Sequence, residues 1–145
     1  MKKIFVVCAL LMTFIVAQVS ADNMYPIPFE QLPAPCQVFV KTHFPNAQVT
    51  YCVRESRGYE IKFADAMELE FTKAGLWKEV DCKYGVVPES VLKLIPPSIP
   101  TYIKSVFPQA VITRVKLDGR RYEVKINTGL EFEFNKAGTF MRIDD

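Results

Sequence analysis

Apolar and polar residues alternate strictly over two adjoining stretches of the chain. Tyr59, Ile61 and Phe63 alternate with Glu60, Lys62 and Ala64, and Met67, Leu69 and Phe71 with Glu68, Glu70 and Thr72. A period of two turns one apolar face inward and one charged face outward, as in half-buried β-strands. The pattern returns 63 positions later as Tyr122, Val124, Ile126 and then Leu130, Phe132, Phe134. Ahead of each strand set the period changes. Cys36, Phe39, Val40 and Phe44 recur at i, i+3, i+4 and i+8, and so do Ile99, Tyr102, Ile103 and Phe107. That spacing predicts helices from about Pro35 to Phe44 and from about Ser98 to Phe107. Pro45 and Pro108 end them, because proline disfavours helical geometry in the residue before it.

The faces also set the register of each hairpin. Pairing Lys62 with Glu68 keeps like faces together and leaves Ala64, Asp65 and Ala66 as a three-residue loop. A two-residue loop sets Lys62 opposite Leu69 and breaks the pattern. In the second copy the loop is Asn127, Thr128 and Gly129, with glycine where such loops need a left-handed residue. "KAG", at Lys73–Gly75 and again at Lys136–Gly138, turns into a fourth strand, and "LDGR" turns between the first two strands of the second copy.

Aligned at the offset of 63, the halves match over about 50 residues without a gap. Identities include Lys41/Lys104, Phe44/Phe107, Pro45/Pro108, Tyr59/Tyr122, Glu70/Glu133 and Gly75/Gly138. A period this long is a duplication of one small unit, a helix followed by four strands. One helix covers the apolar face of each four-stranded meander. The fold expected is therefore α+β: a tandem repeat joined into one antiparallel sheet of up to eight strands, with the helices on one face and the other open to water. Residues 22–86 form the first repeat and 87–145 the second, the two making one structural domain.

The N-terminus stands apart. Lys2 and Lys3 precede an apolar run from Ile4 to Ala17, and "VSA" ends at Ala21. This is the layout of a signal peptide over residues 1–21, cleaved after Ala21. The run of 14 is short of the roughly 20 residues of a spanning helix, so no membrane association is expected after cleavage. The protein is then periplasmic or secreted. Without Lys2 and Lys3, 16 basic residues balance 16 acidic ones. No basic field points to nucleic acid.

The order helix, "FP.A", strand, "YEVK", charged hairpin, "KAG", strand resembles the PepSY-like family of β-lactamase-inhibitor-like proteins, small secreted proteins of Bacteroides-type bacteria. The resemblance spans nearly all of the chain after Ala21, in both copies. It implies a tandem repeat, a periplasmic or secreted home, and a binding or inhibitory role without catalysis.

Candidate chemistry is sparse. His43 is the one histidine, near a helix end where the second copy has Val106, and reads as structural or solvated. No nucleophile elbow, phosphate loop or spaced set of metal ligands is present in the sequence. Asp81, Asp144 and Asp145 read as solvated. No catalytic residue, metal or cofactor is expected. Cys36 and Cys52 stand where the second copy has core-facing Ile99 and Val115. Any disulfide therefore joins Cys36 to Cys52 across roughly 15 residues, contributing on the order of 3 kcal/mol, and leaves Cys82 odd. The alternative is two free buried thiols. The glutamates around Lys62 and Lys125 read as cross-strand pairs that keep the open face soluble.

Aromatic and basic side chains on the open face are the sharper lead. If Thr50 and Cys52 point inward, Tyr51 and Val53 point outward beside Arg114 and Lys116 of the second copy. A regular fourth strand puts Trp77 and Phe140 on the open face as well, whereas a bulge would bring both rings back to the helix face. Tyr51, Trp77, Arg114 and Phe140 are the expected partner-binding residues, tyrosine and tryptophan being enriched where binding energy concentrates. The function expected is a non-catalytic module that holds a protein or peptide on the open sheet face. The alternative is an exported inhibitor of a hydrolase, a protease or β-lactamase-like enzyme.

Overall fold

A computed structural model describes residues 24–144; the expected signal peptide lies outside them. One antiparallel sheet of nine strands runs in chain order: β1 (Tyr25–Ile27), β2 (Val49–Glu55), β3 (Gly58–Phe63), β4 (Glu68–Thr72), β5 (Trp77–Asp81), β6 (Ile112–Asp118), β7 (Arg121–Ile126), β8 (Glu131–Asn135) and β9 (Phe140–Asp144). Two helices match those expected, α1 (Ala34–His43) and α3 (Ser98–Val106), and a single turn, α2 (Glu89–Leu92), lies between the copies. Phe44 and Phe107 close their helices by donating backbone N–H bonds of 2.8 Å to Val40 and Ile103. The fold is α+β with a tandem repeat, and its ninth strand is β1. Three residues carrying a proline show no alternation, so pattern alone does not reveal it.

The alternation sets the packing. One row of cross-strand neighbours runs Ile27, Cys52, Ile61, Leu69, Val80, Val115, Val124, Phe132, Ile143 across all nine strands. All its members from Cys52 to Phe132 are buried. The row lies under the helices: Phe39 of α1 meets Phe71 edge-on at 5.5 Å, and Tyr102 of α3 meets Phe134 at 5.7 Å. Val80 and Val115 pair where the copies join, both fully buried, so one core crosses the seam. Each buried Phe, Leu, Ile or Val contributes about 1.5–3 kcal/mol.

The hairpins adopt the register that the faces require. Lys62 pairs with Glu68 and Lys125 with Glu131, and Phe63 and Ile126 donate backbone N–H bonds to Met67 and Leu130. In the second copy Gly129 takes the left-handed loop position at φ 94°, while in the first copy Ala66 holds it at φ 67°. An L-residue there is strained by about 1–2 kcal/mol, and glycine removes that strain at the cost of a more flexible unfolded chain. Ala66→Gly is expected to stabilise the protein by about 0.5–1 kcal/mol, read as a higher denaturant midpoint with an unchanged slope.

Candidate functional site

The face opposite the helices carries two ordered rows of side chains, polar apart from the buried Val53 at one end. The first runs Tyr51, Lys62, Glu68, Asp81, Arg114, Lys125, Glu131, Asp144 from β2 to β9. The second runs Val53, Glu60, Glu70, Glu79, Lys116, Glu123, Glu133, Arg142. Both follow from the period of two: every residue between two core positions stands here.

Acids and bases on this face satisfy one another. Lys62 Nζ lies 3.1 Å from Glu60 and 3.5 Å from Glu68, and Lys83 bridges Glu68 and Asp81. Glu60, Glu70 and Glu79 stand side by side, an unfavourable run of like charge. Each meets a cation: Lys62, Lys78 at 3.5 Å, and Arg114 at 2.8 Å. Arg114, at the seam, also reaches Glu123 at 3.3 Å and Glu131 at 3.6 Å. Its buried Nε approaches Glu79 without an aligned hydrogen bond. Burial pushes the Glu79 carboxyl up from its ordinary value, against the opposing pull of Arg114. Glu133, gripped by Arg142 at 2.9 Å and Arg121 at 3.0 Å, is held below its ordinary value, chiefly by the Arg142 hydrogen bond. The more exposed of these pairs, such as Lys62–Glu68 and Lys78–Glu70, contribute little each; their order gives the face a fixed charge pattern.

Tyr51 and Arg114 stand on this face, in one row and at equivalent positions of the two copies. Tyr51 is about half exposed, with the Lys62 ammonium 5.6 Å from its ring centre. Trp77 and Phe140 do not join them. Phe71 pairs with Trp77 and Glu70 with Glu79, which leaves Lys78 as an extra residue; Phe134 pairs with Phe140 and Glu133 with Arg142, which leaves Met141. These bulges return both rings to the helix face. Trp77 stacks on Phe39 at 6.4 Å and Phe140 on Tyr102 at 4.4 Å. The same bulge frees Lys78 to neutralise Glu70. The regular-strand expectation fails because two rings, seated against a helix, outweigh one unbroken ladder.

Of the two readings of the cysteines, the structure has the free thiols rather than a Cys36–Cys52 disulfide. Cys36, Cys52 and Cys82 are free and buried. The Cys36 sulfur turns toward the Gly75 carbonyl at 3.9 Å, and that of Cys82 toward the Met67 sulfur at 3.9 Å. Burial pushes Cys36 and Cys52 up to about 11 and Cys82 up to about 12. A thiol at 11 is ionised to roughly one part in a thousand at pH 8 and is a poor nucleophile. Ellman's reagent at pH 8 is expected to find no fast-reacting thiol in the folded mature protein and three after unfolding in guanidinium. His43 is held by Ser90 at 2.8 Å and lies against Phe39; burial lowers its pKa.

One residue escaped the sequence reading. Tyr84 is 96% exposed, in the link between copies beside Lys83 at φ 50°. It lines a hollow of about 260 Å³ with Asp81, Lys83, Thr113, Lys125 and Asn127, next to Arg114 in the seam. The apolar period of the link, Val87, Val91 and Ile95, passes Tyr84 by, so its only signal was a tyrosine beside a glycine with no core face to occupy. Among the described residues, no three or more His, Cys, Asp or Glu side chains group to hold a metal ion.

Comparison with known proteins adds to this geometry. The profile of the family described as "Putative beta-lactamase-inhibitor-like, PepSY-like" matches twice, over residues 18–75 and 58–142. The chain belongs to the PepSY-like family. Similar proteins of known structure include one from Bacteroides vulgatus described as a putative periplasmic protein of the DUF2874 family, 36% identical, with a TM-score of 0.80 over 86% of this chain and 99% of that one. A second, from Bacteroides thetaiotaomicron and described as a putative calcium-regulated periplasmic protein, is 34% identical, with a TM-score of 0.79 over 86% and 99%. A third, from Bacteroides vulgatus and of unknown function, is 29% identical, with a TM-score of 0.78 over 85% and 100%. A comparison with curated proteins gave no match. Like these relatives, this PepSY-like chain is periplasmic, and among its described residues no helix is long and apolar enough to cross a membrane.

Proposed function

We propose that the protein is a non-catalytic periplasmic binding module that holds a protein or peptide partner on its open sheet face. The observation that carries this reading is the uncovered face itself. Eight neighbouring strands present a fixed two-signed pattern, with Tyr51 on one copy and the hollow beside Tyr84 at the seam. A pattern of this kind favours orientation and choice of partner more than raw affinity, which falls to the aromatic anchors. Tyr51 and Tyr84 are those anchors, and Arg114 fixes the charge between them. Buried thiols with raised pKa values supply no nucleophile, in keeping with a binding role.

The test is capture from periplasmic extract by the wild type, by Tyr51→Ala/Tyr84→Ala, and by Val38→Asp on the exposed side of α1. The partner's affinity is expected to fall by about tenfold or more in the tyrosine variant and to stay unchanged in Val38→Asp. Capture that survives the tyrosine variant, or no specific partner at all, rules the reading out. The family's description favours one second reading, an inhibitor of a hydrolase. It is supported if the captured partner is a hydrolase that loses activity on mixing.

A further inference from the structure

The two ends of the sheet are complementary to each other. In the middle, β5 of the first copy pairs with β6 of the second: Glu79 with Lys116, Val80 with Val115, Asp81 with Arg114. The strand β2 is the first-copy counterpart of β6, Cys52 standing for Val115 and Val53 for Lys116. Its partner is β1, which sets Ile27 opposite Cys52 and Pro26 opposite Val53. Ile27 therefore fills the place that Val80 fills at the seam, and β1 sits where the fourth strand of a preceding unit would sit. At the far end β9 repeats β5, with the same bulge and the same pairing to the strand before it, but among the described residues no strand pairs with its outer edge. Ile143 is 40% exposed, whereas its counterpart Val80 is fully buried.

The two edges are also guarded unequally. Proline and charged side chains are common devices for blunting an edge strand; β1 contains Pro26, whereas β9 contains no proline, carries its charges Arg142 and Asp144 in the open-face rows, and exposes Met141 beside Ile143. The hold of β1 is slight as well. It is three residues long, and hollows of about 640 and 440 Å³ lie along it, one lined by Tyr25, Arg54 and Tyr59, the other by Ile27, Phe29 and Tyr51.

We propose that β9 is an acceptor edge for β2 of a second copy of this chain, and that β1 is the segment that must lift for the two to join. The register is the one that the seam already uses: Ile143 opposite Cys52, Arg142 opposite Val53, and Asp144 opposite Tyr51. It continues the apolar row without a break. It sets Asp144 one strand from Lys62, and Arg142 one strand from Glu60, so opposite signs meet on the open face. The contact joins two different surfaces and does not close on itself, so it grows into chains rather than stopping at a dimer. In the wild type β1 is tethered to its own β2 and wins by effective concentration. This inference is independent of the open-face reading.

The test uses the full mature chain and light scattering across a hundredfold concentration range. Ile27→Asp puts a charge where Val80 sits at the seam and lifts β1 without deleting it. The wild type is expected to keep a single-chain mass, Ile27→Asp to rise with concentration to twice that mass and beyond, and Ile27→Asp/Ile143→Pro to return to the single-chain mass. A single-chain mass for a folded Ile27→Asp, or assembly that survives Ile143→Pro, overturns the proposal. So does a dimer that the wild type and Ile27→Asp form alike, which means that β9 pairs with its own copy. Should Ile27→Asp not fold, hydrogen exchange on the wild type decides. The amides of Ile27 and Cys52 are expected to exchange at least about tenfold faster than those of Val80 and Val115; equal protection overturns the proposal.

Discussion

Phe134→Ala is expected to destabilise the protein by about 3–5 kcal/mol and to lower the melting temperature by roughly 10–20 °C. Phe134 is fully buried, with Tyr102 at 5.7 Å and Phe140 at 5.9 Å from its ring. Its removal leaves a void between β8, β9 and α3 that the two seated rings, Tyr102 and Phe140, have little freedom to refill. The loss is expected to be felt in both copies, because the core is continuous through Val80 and Val115. Trp77 fluorescence reports the first copy and far-ultraviolet circular dichroism the whole chain. Both signals should move together in one transition. Separate transitions would mean that the seam does not couple the copies.

Gly138→Ala comes next, at about 2–4 kcal/mol. Gly138 lies at φ 87°, where an L-residue is strained. The added Cβ would also stand 2.3 Å from Ser98 Oγ and 2.5 Å from Pro96 Cβ, so the start of α3 must move. The Ser98 hydroxyl donates to the Gly138 carbonyl at 2.8 Å and ties that helix to the turn. Gly129 supplies the control: it has φ 94° and no atom within 4 Å of the added Cβ. Gly129→Ala should show the backbone strain alone, about 1–2 kcal/mol. The difference between the variants, measured by guanidinium unfolding, isolates the steric part. Equal losses would show that the clash relaxes freely.

Much of the fold was legible because alternation and duplication confirm each other. The pairs Lys62–Glu68 and Lys125–Glu131 follow from the rule that like faces stay together, and a one-residue slip would have exposed the whole apolar row. Three things were not legible, each for a physical reason. The strand β1 is held by cross-strand pairing to β2, and nothing in three residues announces a partner 27 positions away. Trp77 and Phe140 left the open face through bulges, and a bulge is decided by packing against Phe39 and Tyr102 rather than by local pattern. The thiols of Cys36 and Cys52 share a core, as the alignment with Ile99 and Val115 implied, but bridging is a matter of where each sulfur points. On the candidate site, the duplication located the charge rows and their phase. Tyr84 fell outside them, in a segment that the copies do not share.

Sheet order equal to chain order bears on how the chain reaches its native state. Six of the eight strand pairs are local hairpins; only β1–β2 and β5–β6 close over a helix, with partners 27 (Pro26 and Val53) and 35 (Val80 and Val115) positions apart. Short sequence separation between contacts favours rapid folding. A chain delivered end-first into the periplasm can lay down β1 to β9 in the order they emerge, each hairpin templating the next, with the apolar row covered by α1 before the second copy has arrived.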